Sequence, residues 1–262
     1  MPTPAGWSQS FGSEAERYDR TRPPYPAELV DRIADRIAAA GPGRDVLDVG
    51  CGTGIAARQL RAAGCTVLGV EPDERMAAFA RDTGVTVETA TFEAWDPAGR
   101  RFDAVVAGQS WHWVDASAGP AQAARVLRPG GLFVALWHVF APPEPVSRAF
   151  AEAFQRVVPD APFQLPTSPE QAVTSYEAGC TRTAESFLAT GEFTEAEQWS
   201  ASWEHSYTTG SYLDFMRTTG ALTALPPDQV AVVTDAVGTA AEALGGSFTT
   251  SYCTLAVAVV RS

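Results

Sequence analysis

Val46-Leu47-Asp48-Val49-Gly50-Cys51-Gly52-Thr53-Gly54 is an apolar run that ends in three glycines set two residues apart. It reads as a short strand, Asp45–Val49, turning sharply into a helix, Ile55–Ala63, that Gly64 closes. Glycine allows such a turn and leaves no Cβ in the way of an approaching ligand. The helix that follows offers unpaired N–H groups at its start. In an open parallel sheet, ligands bind at the carboxyl ends of the strands, so this loop is the candidate binding site. Its spacing is GxGxG, not the GxGxxG of a dinucleotide fingerprint, and Ile55 stands where the third Gly or Ala belongs. The loop has no basic residue, which disfavours a pyrophosphate. The next strand, Thr66–Val70, ends in Glu71-Pro72. A carboxylate there has acceptor sites on two oxygens and suits a pair of ribose hydroxyls. The residues imply a nucleoside with free 2′ and 3′ hydroxyls.

Working outward, strands and helices alternate. Asp73–Asp82 reads as a helix closed by Gly84, Thr86–Thr89 as a strand and Phe102–Ala107 as another. Ala118–Val126 reads as a helix and Leu132–Trp137 as a fifth strand. This alternation implies parallel pairing, right-handed crossovers and helices on both faces. Upstream, Leu29, Val30, Ile33 and Ile37 recur at helical spacing in Ala27–Ala40, which Gly41-Pro42-Gly43 ends. Ser13–Arg20 reads as a short helix stopped by the Pro23–Pro26 cluster. After Val139 the pattern changes. A Pro-rich linker at 141–145 leads into helix and loop over 146–195. Gln198–Tyr207 is a strand candidate, Tyr212–Thr219 and Asp228–Leu244 are helix candidates, and Thr249–Val260 is a late strand for the same sheet.

Composition bounds the function. The chain has 262 residues, 45% of them hydrophobic and 19% charged, which is ordinary globular composition. The net charge of −12 argues against a protein that wraps a phosphate backbone. Cys51, Cys65, Cys180 and Cys253 form no CxxC and no zinc-like spacing, so they read as reduced thiols and no metal site is expected. No stretch reaches the ~20 apolar residues of a membrane span, and no signal peptide is apparent at Met1–Ser10. A soluble cytoplasmic protein, monomer or homodimer, with no nucleic-acid or membrane partner is the expectation.

Four motifs now stand in order: Asp48-Val-Gly50-Cys-Gly52-Thr-Gly54, Glu71-Pro72-Asp73, Phe102-Asp103 and Leu127-Arg128-Pro129-Gly130-Gly131. Together they resemble a class I S-adenosylmethionine-dependent methyltransferase. The likeness covers about residues 11–140. Phe11…Ala15…Tyr18…Arg22-Pro23…Tyr25-Pro26 and Gln109-Ser110-Trp111-His112-Trp113 are similar to its small-molecule subgroup, which includes trans-aconitate-type and natural-product enzymes. The resemblance implies a Rossmann-like α/β fold with a mostly parallel seven-stranded sheet in the order 3-2-1-4-5-7-6 and a helical cap. It divides the chain into an N-terminal cap segment and helix (1–40), a cofactor-binding core (41–140), a helical cap (141–195) and C-terminal strands and helices that complete the sheet (196–262). It also implies roles. Gly50, Cys51, Gly52 and Gly54 would line the methionine and ribose part of S-adenosylmethionine, and Asp48 would order that loop or reach the amino group through water. Glu71 would take the ribose hydroxyls, and Pro72 and Met76 would pack on the adenine. Thr91 stands where relatives often have Asp, leaving the Phe92 main chain for the adenine edge. Gln109 would face the methionine portion.

Methyl transfer from a sulfonium is an in-line displacement with a neutral leaving group, so alignment and water exclusion dominate. A base helps when the nucleophile carries a proton. His112, just beyond the fourth strand, reads either as that base or as a structural hydrogen-bonding residue. Tyr18 reads as a catalytic, orienting hydroxyl or as a pin for the N-terminal segment. Phe11, Tyr25, Trp111 and Trp113 are candidate substrate-facing aromatics, Trp111 and Trp113 alternating on an extended segment so that one of them faces the core, and Arg22 could hold a carboxylate or pair with a surface acid. The leading expectation is methyl transfer to a small molecule, an aromatic or heteroaromatic natural product or a small carboxylic acid, yielding S-adenosylhomocysteine. Alternatives are a protein or RNA methyltransferase, a cofactor-binding member that does not methylate, and an NAD-dependent dehydrogenase.

Overall fold

A computed structural model describes residues 15–161 and 169–262. Seven strands form one sheet in the order β3-β2-β1-β4-β5-β7-β6. β1 (Asp45–Val49) lies between β2 (Thr66–Glu71) and β4 (Phe102–Gly108), parallel to both. β3 (Thr86–Thr89) adds to β2 and β5 (Leu127–Ala141) to β4, also in parallel. β7 (Ser247–Val260) and β6 (Glu197–Thr208) then pair antiparallel at the other edge. The expected order and the late strand are both present. β5 is longer than its apolar centre suggested, because its antiparallel partner β7 extends the ladder to Ala141↔Ser251.

Alternation along the strands builds two cores. Val46, Ala104, Val106, Leu132, Val134 and Leu136 face α2 (Ala27–Ala40) and α3 (Ile55–Ala62). Leu47, Val49, Val105, Phe133, Ala135 and Trp137 face α5 (Ala118–Val126) and α7 (Pro169–Leu188). Apolar residues on both faces are what a sheet covered by helices requires. Asp73, expected as the first residue of a helix, is instead the cap of α4 (Glu74–Asp82), its side chain accepting the Arg75 N–H at 2.9 Å. At the far end of the sheet from the glycine loop, Arg128 bridges Asp45 and Asp103 at 3.1 and 2.8 Å. That explains Leu127-Arg128-Pro129-Gly130-Gly131 as scaffold: the arginine ties the entries of β1 and β4 together.

A third apolar cluster closes the site. α6 (Glu144–Val157), α8 (Thr209–Arg217), α9 (Gly220–Thr223) and α10 (Pro227–Ala243) bury Val146, Phe154, Phe215, Leu222, Val233 and Val237 against the ends of β6 and β7. The cap is thus built from both sides of β6, where residues 141–195 and the N-terminus alone were expected to supply it. α1 (Ala15–Thr21) docks on α8 through Arg17 and Arg20, which reach Asp214 at 3.6 and 3.2 Å. The start of the expected Ser13–Arg20 helix lies outside the described residues. Among the described residues, no helix is long and apolar enough to cross a membrane.

Candidate active site

One cavity of about 460 Å³ runs from the carboxyl ends of β1, β2 and β4 into the space beneath the cap. At its sheet end the wall includes Gly50, Gly52, Glu71, Pro72, Met76 and Phe92. The glycine loop adopts φ of +63° at Gly50, +56° at Gly52 and +87° at Gly54, values an L side chain rarely takes. Each glycine serves a different neighbour. A Cβ on Gly50 would sit 2.5 Å from Ser110 Cβ, so this glycine lets the β4 loop close against β1. A Cβ on Gly52 would meet nothing within 4 Å, so it would enter the open space of the cavity itself. Gly54 caps α3 and lies behind the wall.

Glu71 fixes this loop. Its Oε2 accepts the Gly52 N–H and its Oε1 the Asp73 N–H, both at 2.9 Å. Each oxygen keeps acceptor capacity toward the cavity. Burial raises the carboxyl pKa to about 7 against the opposing pull of those two N–H groups. Asp48 lies under the loop, 1% exposed, with both carboxylate oxygens lacking a hydrogen-bond partner. Burial first, then the nearby Glu71 charge, raises its pKa to about 7.

The β4 end supplies the middle of the cavity. Gln109 takes a positive φ of +57° and donates its N–H to the Leu136 carbonyl at 2.9 Å. Ser110 holds the turn by donating to the Val49 carbonyl. Trp111, His112 and Trp113 form a 3-10 turn. This corrects the extended segment expected from the sequence and sorts the two indoles. Trp111 packs into the core against Phe133 at 4.5 Å and Phe187 at 5.5 Å, away from any acceptor, while Trp113 lines the cavity.

His112 is exposed to the cavity it lines, and the desolvation of its ring within that space pulls its pKa down to about 4. The ring is neutral at pH 7. Trp137 points its indole N–H at His112 Nδ1, 3.4 Å away. An indole N–H only donates, so Nδ1 is the acceptor and the neutral ring carries its proton on Nε2. The ring therefore offers the cavity a donor, and its lone pair is engaged by Trp137. This favours an orienting role over the base role suggested by its position beyond the fourth strand.

The remaining expected residues divide. Tyr18, Arg22 and Thr91 lie on the cavity wall. Tyr25 does not: it is buried against His138 with centroids 4.6 Å apart, and its hydroxyl fills the place a Cβ on Gly108 would take. The Cys51 thiol is turned into the core over Gly69, so only its backbone belongs to the loop. Phe11 lies outside the described residues. Sequence reasoning missed the cap side of the cavity, where Phe140, Phe150, Tyr212 and Phe215 form an aromatic chamber, and it missed His138. Period-2 alternation places Leu136, His138 and Phe140 on one face of β5, a signal present in the sequence.

Residues 46–131 match the family model described as a methyltransferase domain. Over those residues the chain is similar to a methyltransferase domain. An uncharacterized methyltransferase of Mycobacterium tuberculosis is 38% identical over 135 residues, 50% of this chain and 53% of the relative. A ubiquinone biosynthesis O-methyltransferase of Methylobacterium nodulans is 41% identical over 97 residues, 34% of this chain and 39% of that protein. The chain thus spans about half the length, or less, of the curated relatives it matches. Among solved structures, one from Anaeromyxobacter dehalogenans, provisionally described as a type II methyltransferase, superposes with a TM-score of 0.62 at 24% identity, covering 90% of this chain and 97% of that one. A Haemonchus contortus phosphoethanolamine N-methyltransferase in complex with S-adenosylhomocysteine gives a TM-score of 0.54 at 18% identity over 98% of this chain and 58% of that one. At these identities the likeness is one of fold, the Rossmann-like class I fold with its seven-stranded sheet.

Proposed function

We propose that this protein transfers the methyl group of S-adenosylmethionine to a small-molecule acceptor and releases S-adenosylhomocysteine. The observation that carries the reading is the cavity that joins the glycine loop and Glu71 to an aromatic chamber under the cap. The residues present fit the cofactor. The open space at Gly52 accommodates a ligand at the loop, Glu71 keeps acceptor sites for ribose hydroxyls, and Pro72, Met76 and Phe92 offer apolar surface to a flat base. When bound, the cofactor supplies an electrophilic methyl whose leaving group is neutral and needs no acid.

The protein's own work is then positioning. Glu71 and the loop glycines fix one end of the cavity, and Gln109 and Trp113 line its middle. His112 presents an N–H that orients an acceptor oxygen or nitrogen. The cap excludes water and brings the acceptor within reach, where orientation alone is worth several powers of ten in rate. Phe140, Phe150, Tyr212 and Phe215 suit an aromatic or heteroaromatic acceptor. A cavity roofed by helices suits a small acceptor better than a side chain on a folded protein or a base in RNA.

Incubation with methyl-labelled S-adenosylmethionine and a bacterial cell extract tests the reading. Label is expected in the small-molecule fraction, and mass spectrometry of that peak identifies the acceptor. Label confined to protein or RNA would overturn the small-molecule assignment.

A further inference from the structure

Trp137 stands one position beyond Leu136, which faces Gly108 at the end of β4. Across the ladder on its other side is Leu255 of the antiparallel β7. The indole is 5% exposed and packs in the core that faces α5 and α7. Its apolar body suits that core, but its N–H is a buried donor that needs an acceptor. Among the described residues, its one hydrogen-bond partner is His112 Nδ1.

The backbone around His112 is fixed at both ends. Ser110 bonds the Val49 carbonyl, the Trp113 N–H bonds the Ser110 carbonyl at 2.9 Å, and the Val114 N–H bonds the Trp111 carbonyl at 3.1 Å. Beyond the turn, Glu93 Oε1 accepts the Asp115 N–H at 2.8 Å. The Trp113 ring lies beside the imidazole, centroids 4.9 Å apart. Two choices then remain to His112: which ring edge meets Trp137, and which nitrogen carries the proton. A half-turn of the ring would set a C–H against the indole N–H. A proton on Nδ1, in the other tautomer or in the imidazolium, would set two donors face to face. Each alternative strips the buried indole N–H of its acceptor, which is costly. The bond itself is long at 3.4 Å, so its weight lies in what it excludes rather than in its own strength.

We propose that Trp137 is a positioning residue: its indole N–H fixes the edge and the tautomer of His112, so that the ring meets the methyl acceptor as a hydrogen-bond donor and takes no proton from it. The fixed tautomer is a property of the protein alone, and the meeting with the acceptor rests on the proposed function. Such a donor also selects among acceptors. A phenol oxygen or a heteroaromatic nitrogen offers it a lone pair, whereas an ammonium sets donor against donor.

Nitrogen-15 NMR of protein labelled at histidine tests the tautomer. The chain has three histidines, and the signals lost in His112→Gln identify His112. Wild type should show an unprotonated Nδ1 and a protonated Nε2 between about pH 6 and 8. Trp137→Phe, its fold checked by circular dichroism, should show mixed tautomers and a His112 pKa higher by about 0.5–1 unit. A proton on Nδ1 in wild type would overturn the proposal without recourse to any variant. An unchanged His112 in folded Trp137→Phe would overturn it too.

The rate at which methyl label passes from S-adenosylmethionine into the small-molecule fraction of a cell extract tests the donor role. His112→Gln keeps an N–H near the place of Nε2 and has no basic nitrogen. It should run at least about 5 times faster than His112→Ala, and Trp137→Phe should lose about 3- to 10-fold in rate with S-adenosylhomocysteine affinity unchanged. Equal losses in His112→Gln and His112→Ala would mark the ring as a base and overturn the proposal. Full rate in Trp137→Phe with an altered tautomer would overturn it as well. Wild type that transfers no label while NMR shows the fixed tautomer would count against the proposed function and leave the pairing of Trp137 with His112 standing.

Discussion

Asp48 and Glu71 are two buried carboxyls with raised pKa values, and two histidines have pKa values lowered to about 4 (His112, on the cavity wall) and about 3 (His138, buried). Their contributions to stability have opposite signs. A carboxyl whose folded pKa is raised gives stability that is present below its unfolded value of ~4 and is lost as pH rises through the folded value. A histidine whose folded pKa is lowered gives stability that is present above ~6.5 and is lost as pH falls. The two effects overlap between about pH 4 and 6.5, so the wild-type melting curve alone does not separate them. The difference between wild type and Asp48→Asn does. The variant's advantage over wild type is expected to grow by more than ~1 kcal/mol between pH 5, where folded wild type keeps the proton, and pH 8, where it carries the buried charge. Equal stability at both pH values, measured by urea unfolding, would remove the burial argument. Glu71 differs because its oxygens already hold the loop: Glu71→Gln puts an NH₂ against one of two backbone N–H groups. S-adenosylhomocysteine affinity should fall at least ~10-fold. These residues were legible in the sequence because chemistry limits what can stand at the end of a buried strand beside a glycine loop. The His112 tautomer was not, since it depends on Trp137, 25 positions away.

The glycine loop makes a prediction at the scale of the element. Gly50→Ala drives a Cβ against Ser110 and should destabilise the fold by more than ~2 kcal/mol. Gly52→Ala adds only the strain of a positive φ, about 1–2 kcal/mol, yet its methyl occupies ligand space. The first variant should lose melting temperature most, and the second should lose cofactor affinity most. The reverse order in a pair of melts and titrations would contradict the assigned geometry. The Asp45–Val49 strand and its GxGxG turn were readable because a buried strand ending in glycines has few other uses. The 111–113 segment was misread because alternating tryptophans look extended. The Ser110 bond to β1 winds them into a 3-10 turn instead, and that bond is set by tertiary contact.

Over the whole molecule, the first half announced itself by alternation and the cap did not. α8, α9 and α10 bury their apolar residues against one another and the ends of β6 and β7, so no local period points to the cavity. The cap is tied to α1 through Asp214, which Arg17, Arg20 and Arg217 share. Partly exposed ion pairs add little stability. Asp214→Asn should therefore shift the melting temperature by only a few degrees while speeding amide exchange in α1, which mass spectrometry would detect. Unchanged exchange there would show that the ion pairs do not hold α1. The central claim is that the sheet end of the cavity binds S-adenosylmethionine through Glu71 and the space at Gly52. Titrating S-adenosylhomocysteine into wild type and into Gly52→Val tests it most directly. Wild type should bind one equivalent and the folded variant none; no binding to wild type, or equal binding to both, would contradict the claim.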